Sequence, residues 1–121
     1  MIIAMASTSP AEGSEERKRR AAAAEINGRQ VNEAIERGLD DAASAVFVCE
    51  CGYFGCSTTI ALSLPAYEAV RTDFDRFLVA PGHVIDEVDE VVERHPEHLV
   101  VVKRQGLPKE MARASDERSP G

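Results

Sequence analysis

The sequence predicts an α+β fold in which a long N-terminal helix precedes a small ββαβαβ domain. Two observations lead to this prediction. A charged, alanine-rich segment occupies the first third of the chain, and short runs of β-branched and aromatic residues alternate with amphipathic stretches after it. At 121 residues the chain has the length of one domain, and we expect its compact part over residues 45–105.

The N-terminal helix is predicted within residues 14–40, over about Ser14–Arg37. Its first residue can cap a helix, and glutamate–arginine pairs four residues apart follow in the favourable orientation. Ala21–Ala24 adds high helix propensity, whereas Gly28 weakens the middle. The apolar stripe is thin, so we expect the helix to lie partly free of the core. Residues 1–13 are small and polar and are predicted to be disordered.

The elements of the compact domain follow from β-type runs and from helical periodicity. The spacing of apolar residues at i, i+1, i+4, i+7 and i+8 predicts a helix at 84–94. Beyond 105 the pattern breaks at a Gly-Leu-Pro sequence, so residues 106–121 are predicted as a flexible tail with at most a short helix. In chain order the predicted elements are strands at 46–48 and 58–62, a helix that begins at Ser63, a strand at 76–80, a helix at 84–94 and a strand at 99–102.

Charge and hydropathy argue against two classes of partner. The chain has 14 lysines and arginines against 21 acidic residues, and a net charge of −7 disfavours a protein that coats DNA or RNA. The basic run Arg17–Arg20 is offset by glutamates and is typical of a solvated helix face. No apolar stretch is long enough to span a membrane, and the N-terminus lacks the basic lead of a signal peptide. We expect a cytoplasmic protein whose translation starts at Met1 or Met5.

The strongest chemical signal is the Cys-x-Cys-x4-Cys cluster of Cys49, Cys51 and Cys56. An odd number of closely spaced cysteines is a poor disulfide framework and better suits a metal in a reducing compartment. Zinc takes four ligands in a tetrahedron, and three cysteines with one histidine are an established structural set. The cluster therefore predicts a zinc knuckle that needs one more ligand.

Three histidines compete to be the fourth ligand. His83 is the first candidate, because it directly follows the predicted strand at 76–80 and Pro81–Gly82 fixes the turn that aims it. His95 lies at a predicted helix end, on a stripe expected to face the core. His98 begins the last predicted strand and is the main competitor.

Several segments also carry a family resemblance. They are Val46–Cys51 with Cys56, then Tyr67–Arg71, Phe77–His83 and Glu90–Arg94. Over about Ser14–Arg104 the chain resembles a family of short uncharacterised proteins of high-GC Gram-positive bacteria. The Cys-Glu-Cys and Pro-Gly-His elements are the most specific pieces. The resemblance implies no activity, but it favours one set of metal ligands, namely Cys49, Cys51, Cys56 and His83.

Three functions remain open at this point. We expect a small non-enzymatic protein with structural zinc, which acts as an interaction or regulatory module and meets a protein partner through the helix at 14–37. The first alternative is a thiol redox sensor, in which metal loss or oxidation of Cys56 changes the N-terminal helix. The second is a metal- or cysteine-dependent enzyme, which would need an open metal position or a base beside a thiol. Glu50, between two thiols, is expected to face water.

Overall fold

The structure, a computed structural model, describes residues 10–39 and 44–118, with side chains from residue 13 onward. The long N-terminal helix and the α+β class are confirmed. The predicted disorder falls largely on residues 1–9, outside the described part, and the helix begins at Pro10. The elements are α1 (Pro10–Arg37), β1 (Ser44–Val48), β2 (Thr59–Ser63), α2 (Leu64–Val70), β3 (Arg76–Val79), β4 (Asp89–Arg94), β5 (Leu99–Lys103) and α3 (Leu107–Ala114).

The strands form two antiparallel sheets that meet at the cysteine cluster. β1 pairs with β2 in a hairpin, and β5 lies between β3 and β4 in a three-stranded sheet. Just beyond β1, the backbone N–H of Glu50 donates to the carbonyl of Leu78 on β3 at 2.7 Å. The hairpin thus continues along the edge of the larger sheet. The core between them contains Phe47 stacked on Tyr67, with ring centroids 4.4 Å apart.

The helix predicted at 84–94 is wrong, because the second half of this segment is the edge strand β4. Val91 pairs with Val101 of β5, and the register shifts between Val91 and Glu93. This β-bulge leaves Val92 outside the ladder and 43% exposed. One extra residue breaks the alternation of a strand, so the apolar positions take on a spacing that imitates a helix. The order is therefore ββαβββα and not ββαβαβ.

α1 docks on the domain through a polar face, contrary to the expectation of a helix partly free of the core. The side chains that α1 buries recur every three or four residues and so lie on one face of the helix. Val31, which belongs to the predicted apolar stripe, is instead 41% exposed. Lys103 of β5 forms buried ion pairs with Glu25 and with Asp89. Apolar periodicity cannot reveal such a face, because its polar groups are buried in pairs. The buried polar residues of α1 are Glu25, Arg29, Asn32 and Glu33.

The C-terminal segment differs from the predicted flexible tail over residues 107–118. α3 buries Ala112 and packs against α1. The Arg29 guanidinium donates to the carbonyl of Ala112 at 2.9 Å and to the Ser115 hydroxyl at 3.0 Å. Arg118 donates to Glu33 at 2.7 Å. Within the part of the chain that the structure describes, no helix has the length and apolar character needed to cross a bilayer.

Candidate metal centre

The three cysteines and His83 converge where the two sheets meet. Cys49 and Cys51 follow β1, Cys56 lies in the loop before β2, and His83 follows β3. Their ligand atoms, three Sγ and one imidazole nitrogen, all lie within 4.8 Å of one another. The structure therefore brings together the four side chains that the sequence predicts as metal ligands.

Two tight turns deliver Cys56 and His83 to this place. The N–H of Cys56 donates to the carbonyl of Tyr53 at 3.2 Å, and the N–H of His83 donates to the carbonyl of Ala80 at 3.0 Å. A glycine with positive φ precedes each ligand, Gly55 at 77° and Gly82 at 86°. Neither position is crowded, so the backbone conformation, and not the space, calls for glycine.

The distances around His83 match those of a tetrahedral centre. Its Nδ1 atom lies 3.6 Å from the Sγ of Cys49 and 3.5 Å from the Sγ of Cys56. For zinc–sulfur bonds of about 2.3 Å and zinc–nitrogen bonds of about 2.0–2.1 Å, a regular tetrahedron separates sulfur from nitrogen by about 3.6 Å. These two separations thus fit one ion between His83, Cys49 and Cys56.

The sulfur of Cys49 also meets a hydrogen-bond donor. The N–H of Ala80 donates to the Sγ of Cys49 at 3.2 Å. Such a donor favours a thiolate, and hydrogen bonds to ligand atoms help to hold metal ligands in place.

Burial sets the charge of these thiols in the absence of a cation. It raises the pKa of Cys49 to about 12 and also raises the pKa of Cys51. For Cys56 burial acts in the same direction, but hydrogen bonds from Thr58 and from the neighbouring thiols outweigh it and lower the pKa. Two buried thiols are therefore neutral near pH 7, and a cation is required to hold them as thiolates.

Glu50 does not face water as expected, since its side chain is fully buried. Alternation along the extended chain places it on the face opposite Cys49 and Cys51. One carboxylate oxygen accepts from the N–H of Leu78 at 2.9 Å, and the other accepts from the amide of Asn32 at 2.8 Å. Burial raises the pKa of Glu50 to about 7. We name residues 48–52 the ligand segment. Glu50 thus holds this segment on the side opposite the cysteine sulfurs.

The competing histidines lie elsewhere, at the β4–β5 hairpin. The rings of His95 and His98 stack with centroids 4.4 Å apart, and His95 Nε2 is 2.9 Å from a carboxylate oxygen of Glu93. His83 is therefore the histidine that the structure places with the cysteines. No sequence signal points to Asn32 or Glu50, because a polar residue that is buried by distant partners has the same sequence pattern as a surface residue.

A cavity of about 400 Å³ lies between α1 and the ligand loop, residues 52–55. All three cysteines contribute to its wall, together with Gly28 and Val31 of α1 and the aromatic pair Tyr53 and Phe54. Phe54, at the tip of the loop, is 81% exposed. The seam between helix and loop is therefore incompletely packed. Comparison with models of protein families, with curated proteins and with solved structures finds no match for this chain, so the interpretation of the cluster rests on its own geometry.

Proposed function

We propose that this chain is a small zinc-binding protein in which Cys49, Cys51, Cys56 and His83 hold a structural zinc ion. The observation that carries the proposal is the separation of the His83 Nδ1 atom from two cysteine sulfurs, 3.5 and 3.6 Å, which fits a zinc tetrahedron. Thiolates also bind copper(I) and iron–sulfur clusters, but a tetrahedral Cys3His set is typical of zinc.

The zinc ion would join two sheets that otherwise share few backbone contacts. Cys49 and Cys51 continue the β1–β2 hairpin, whereas His83 follows β3 of the three-stranded sheet. Four protein ligands complete the shell, whereas catalytic zinc sites keep one position for water or substrate. We therefore propose a non-enzymatic role. A site built from thiolates requires reduced cysteines, which supports the expected cytoplasmic location.

The role that we propose is that of an interaction or regulatory module. One face of α1 is buried on its own domain, so a partner can reach only the opposite face of residues 14–37. The aromatic tip of the ligand loop, Tyr53 and Phe54, offers a further exposed apolar surface close to the metal. Attachment of a protein partner through α1 stays a prediction.

Metal analysis of the purified protein tests the proposal directly. We expect one zinc ion per chain in protein from cells grown without added zinc, and tetrahedral thiolate absorption bands after cobalt substitution. His83→Ala should shift these bands and weaken zinc binding by orders of magnitude. His95→Ala and His98→Ala are matched controls, since both rings lie outside the cluster, and they should leave the spectrum unchanged. Absence of metal from the wild-type protein would contradict the proposal.

A thiol redox sensor is a second candidate, which the chemistry of Cys56 supports. Its side chain is half-buried and its pKa is lowered, so it is the most reactive thiol of the three. In metal-free protein, peroxide would accept two electrons and two protons from Cys56 and one neighbour, giving a disulfide and water. We expect peptide mapping to find Cys56 bridged to Cys49 or Cys51, and dithiothreitol to reverse the bond. Formation of sulfinic acid without any disulfide would count against this candidate.

A further inference from the structure

α1 and the ligand segment approach each other at backbone distance. A Cβ atom at Gly28 would lie 3.0 Å from the Cα of Glu50 and 3.2 Å from the carbonyl oxygen of Cys49. A Cβ atom at Gly52 would lie 2.9 Å from the Cβ of Ala21. These separations are shorter than ordinary side-chain contacts, so the helix can dock only while the ligand segment holds its present course.

Asn32 of α1 hydrogen-bonds to the backbone of this segment. The N–H of Val48 donates to Asn32 Oδ1 at 2.7 Å, and Asn32 Nδ2 donates to the carbonyl of Val48 at 2.8 Å. The same amide nitrogen donates to Glu50 at 2.8 Å, and Glu50 in turn accepts from Leu78 of β3. Asn32 thereby takes the place of a neighbouring strand at the residue just before the first metal ligand.

The other contacts of the N-terminal half of α1, residues 14–28, are compatible with release of this half from the domain. The seam contains the cavity of about 400 Å³, so apolar packing there is incomplete. Arg17 reaches Glu87 at 3.3 Å, but both side chains are well exposed and the pair contributes little. The buried Glu25 pairs with Lys103, which would keep Asp89 as a partner at 2.6 Å if the helix moved away.

Arg29 and Glu33, which flank Asn32 along α1, have anchors that do not touch the ligand segment. Arg29 donates to carbonyls of Phe74 and Ala112, and Glu33 accepts from Tyr67 and Arg118. These partners belong to α2, α3 and the segments that follow them. Residues 29–37 would thus keep these partners without the ion, whereas residues 14–28 meet the ligand segment by the close approach at Gly28 and Gly52.

We infer that metal binding and docking of the N-terminal half of α1, residues 14–28, are coupled through the close approach at Gly28 and Gly52, while Asn32 and Glu50 hold the ligand segment on its course. The inference rests on the proposed metal site. A bound ion fixes the course of Cys49–Cys51, which fixes the surface on which the helix docks. Coupling of this kind is reciprocal, so a docked helix raises the affinity for the metal by the same factor. Asn32 is thus a positioning residue of the metal centre.

Amide hydrogen exchange of the full chain, with zinc bound and after chelation, tests the coupling. We expect chelation to speed the exchange of amides in residues 14–28 by at least about fivefold, the lower end of typical couplings. Amides of residues 33–37 and of α3 should keep their protection, because their anchors are independent of the ion. Uniform loss of protection along α1, or no change in residues 14–28, would overturn the inference.

Zinc affinity of a helix variant provides the reciprocal measurement. Asn32→Ala should weaken zinc binding about 10- to 100-fold although the residue is not a ligand, as is typical of residues that hydrogen-bond the ligands' surroundings. Gln30→Ala, exposed on the same helix, is the matched control and should bind zinc like the wild type. Wild-type affinity in Asn32→Ala would overturn the inference while leaving the zinc site intact. A wild-type protein without metal would instead remove the proposed function itself.

Discussion

Two regions of one interface hold α1 by different chemistry. Near the ligand loop, α1 is held by close backbone approach at Gly28 and by the neutral hydrogen bonds of Asn32. Arg29 and Glu33, which flank Asn32 along the same helix, hold it through charged groups. The first region depends on the course of a loop that has little regular structure of its own, whereas the second carries its own partners. Chelators should therefore disturb the region near the ligand loop, whereas acid or salt should disturb the charged region of Arg29 and Glu33.

In the charged region, the buried carboxylates pair with arginines, whereas Arg29 binds neutral acceptors. Glu33 accepts from the Tyr67 hydroxyl at 2.8 Å and from Arg118, and it lies 3.5 Å from Arg71. Arg71 in turn binds Asp116 at 2.6 Å. We name residues 115–118 the C-terminal clasp, because they close over α1 and α2 through these contacts. Pairing of this kind is the condition under which charges remain buried.

The largest effect is expected from Arg29→Leu. This substitution removes the hydrogen bonds from a charged group to the Phe74 and Ala112 carbonyls, and at about 1.5–3 kcal/mol for each bond the loss of unfolding free energy is about 3–6 kcal/mol. Urea denaturation measures the loss. Zinc affinity should stay near that of the wild type if the two regions are separate. A large fall in zinc affinity with intact folding would merge the two regions into one.

Zinc removal should have the next largest effect. A ligand that binds only the folded state adds about 3 kcal/mol when it is present at roughly a hundred times its dissociation constant. We therefore expect chelation to lower the melting temperature by at least about 10 °C. The core around Phe47, Tyr67 and Phe77 should keep the metal-free chain folded at room temperature. Unchanged melting in strong chelator would argue against a structural metal.

The sequence was sufficient for the parts of the fold that follow from local rules. Ser63 caps α2 by accepting from the N–H of Ala66, and the Pro-Gly turn delivers His83, both as residue chemistry predicts. β4 was missed because its bulge imitates a helical period. The docking face of α1 was missed because Glu25 and Arg29 are buried by partners distant in the chain, Lys103 and Ala112.

The candidate site shows the same division between local and distant causes. Cysteine spacing and a turn-borne histidine are local signals, and they sufficed to predict Cys49, Cys51, Cys56 and His83. The contacts that position these residues are not local, since Asn32 and Leu78 meet at Glu50 only through the tertiary fold. A lone glutamate between two cysteines carries no sign of such a role.

Acid should loosen the charged region before the rest of the interface. Although burial acts in the opposite direction, hydrogen bonds from Arg118 and Tyr67 lower the pKa of Glu33, and those from Arg71 lower the pKa of Asp116. A carboxyl with a lowered folded-state pKa stabilises the fold above its unfolded pKa and loses that contribution as the pH falls through its folded pKa. Below about pH 4 we expect faster exchange at residues 33–37, corrected for intrinsic rates. Constant protection there down to pH 3 would contradict this.

Arg118→Ala tests the clasp with a smaller perturbation. The guanidinium binds Glu33, Glu36 and Glu68, but it is 30% exposed, so solvent screens the pairs and we expect a loss of about 1 kcal/mol. Added salt should reduce the difference between the variant and the wild type. Arg37→Ala is a matched control, because its single pair with Glu117 is exposed and should be nearly neutral. Equal effects of the two variants would mean that the clasp contributes nothing specific.

The smallest effect is expected from Phe54→Ala, which asks whether apolar packing holds the seam. Phe54 lines the cavity beside α1, yet 81% of the residue is exposed. Its removal should change the unfolding free energy by less than about 0.5 kcal/mol, as for ordinary surface substitutions. Tyr53→Ala is the informative control, because the Tyr53 ring meets the ring of His83, the proposed fourth ligand, edge-on with centroids 6.1 Å apart.

Phe54→Ala and Asn32→Ala, measured in the same hydrogen-exchange experiment, show whether polar or apolar contacts hold α1 at the ligand loop. If the amide of Asn32 holds the seam, Phe54→Ala leaves residues 14–28 protected and Asn32→Ala exposes them. If the two variants lose protection equally, the loop side chain packs on α1 and the seam is apolar after all. The metal-dependent region would then resemble an ordinary core contact. Its contrast with the charged region would lie only in polarity, and not in dependence on the ion.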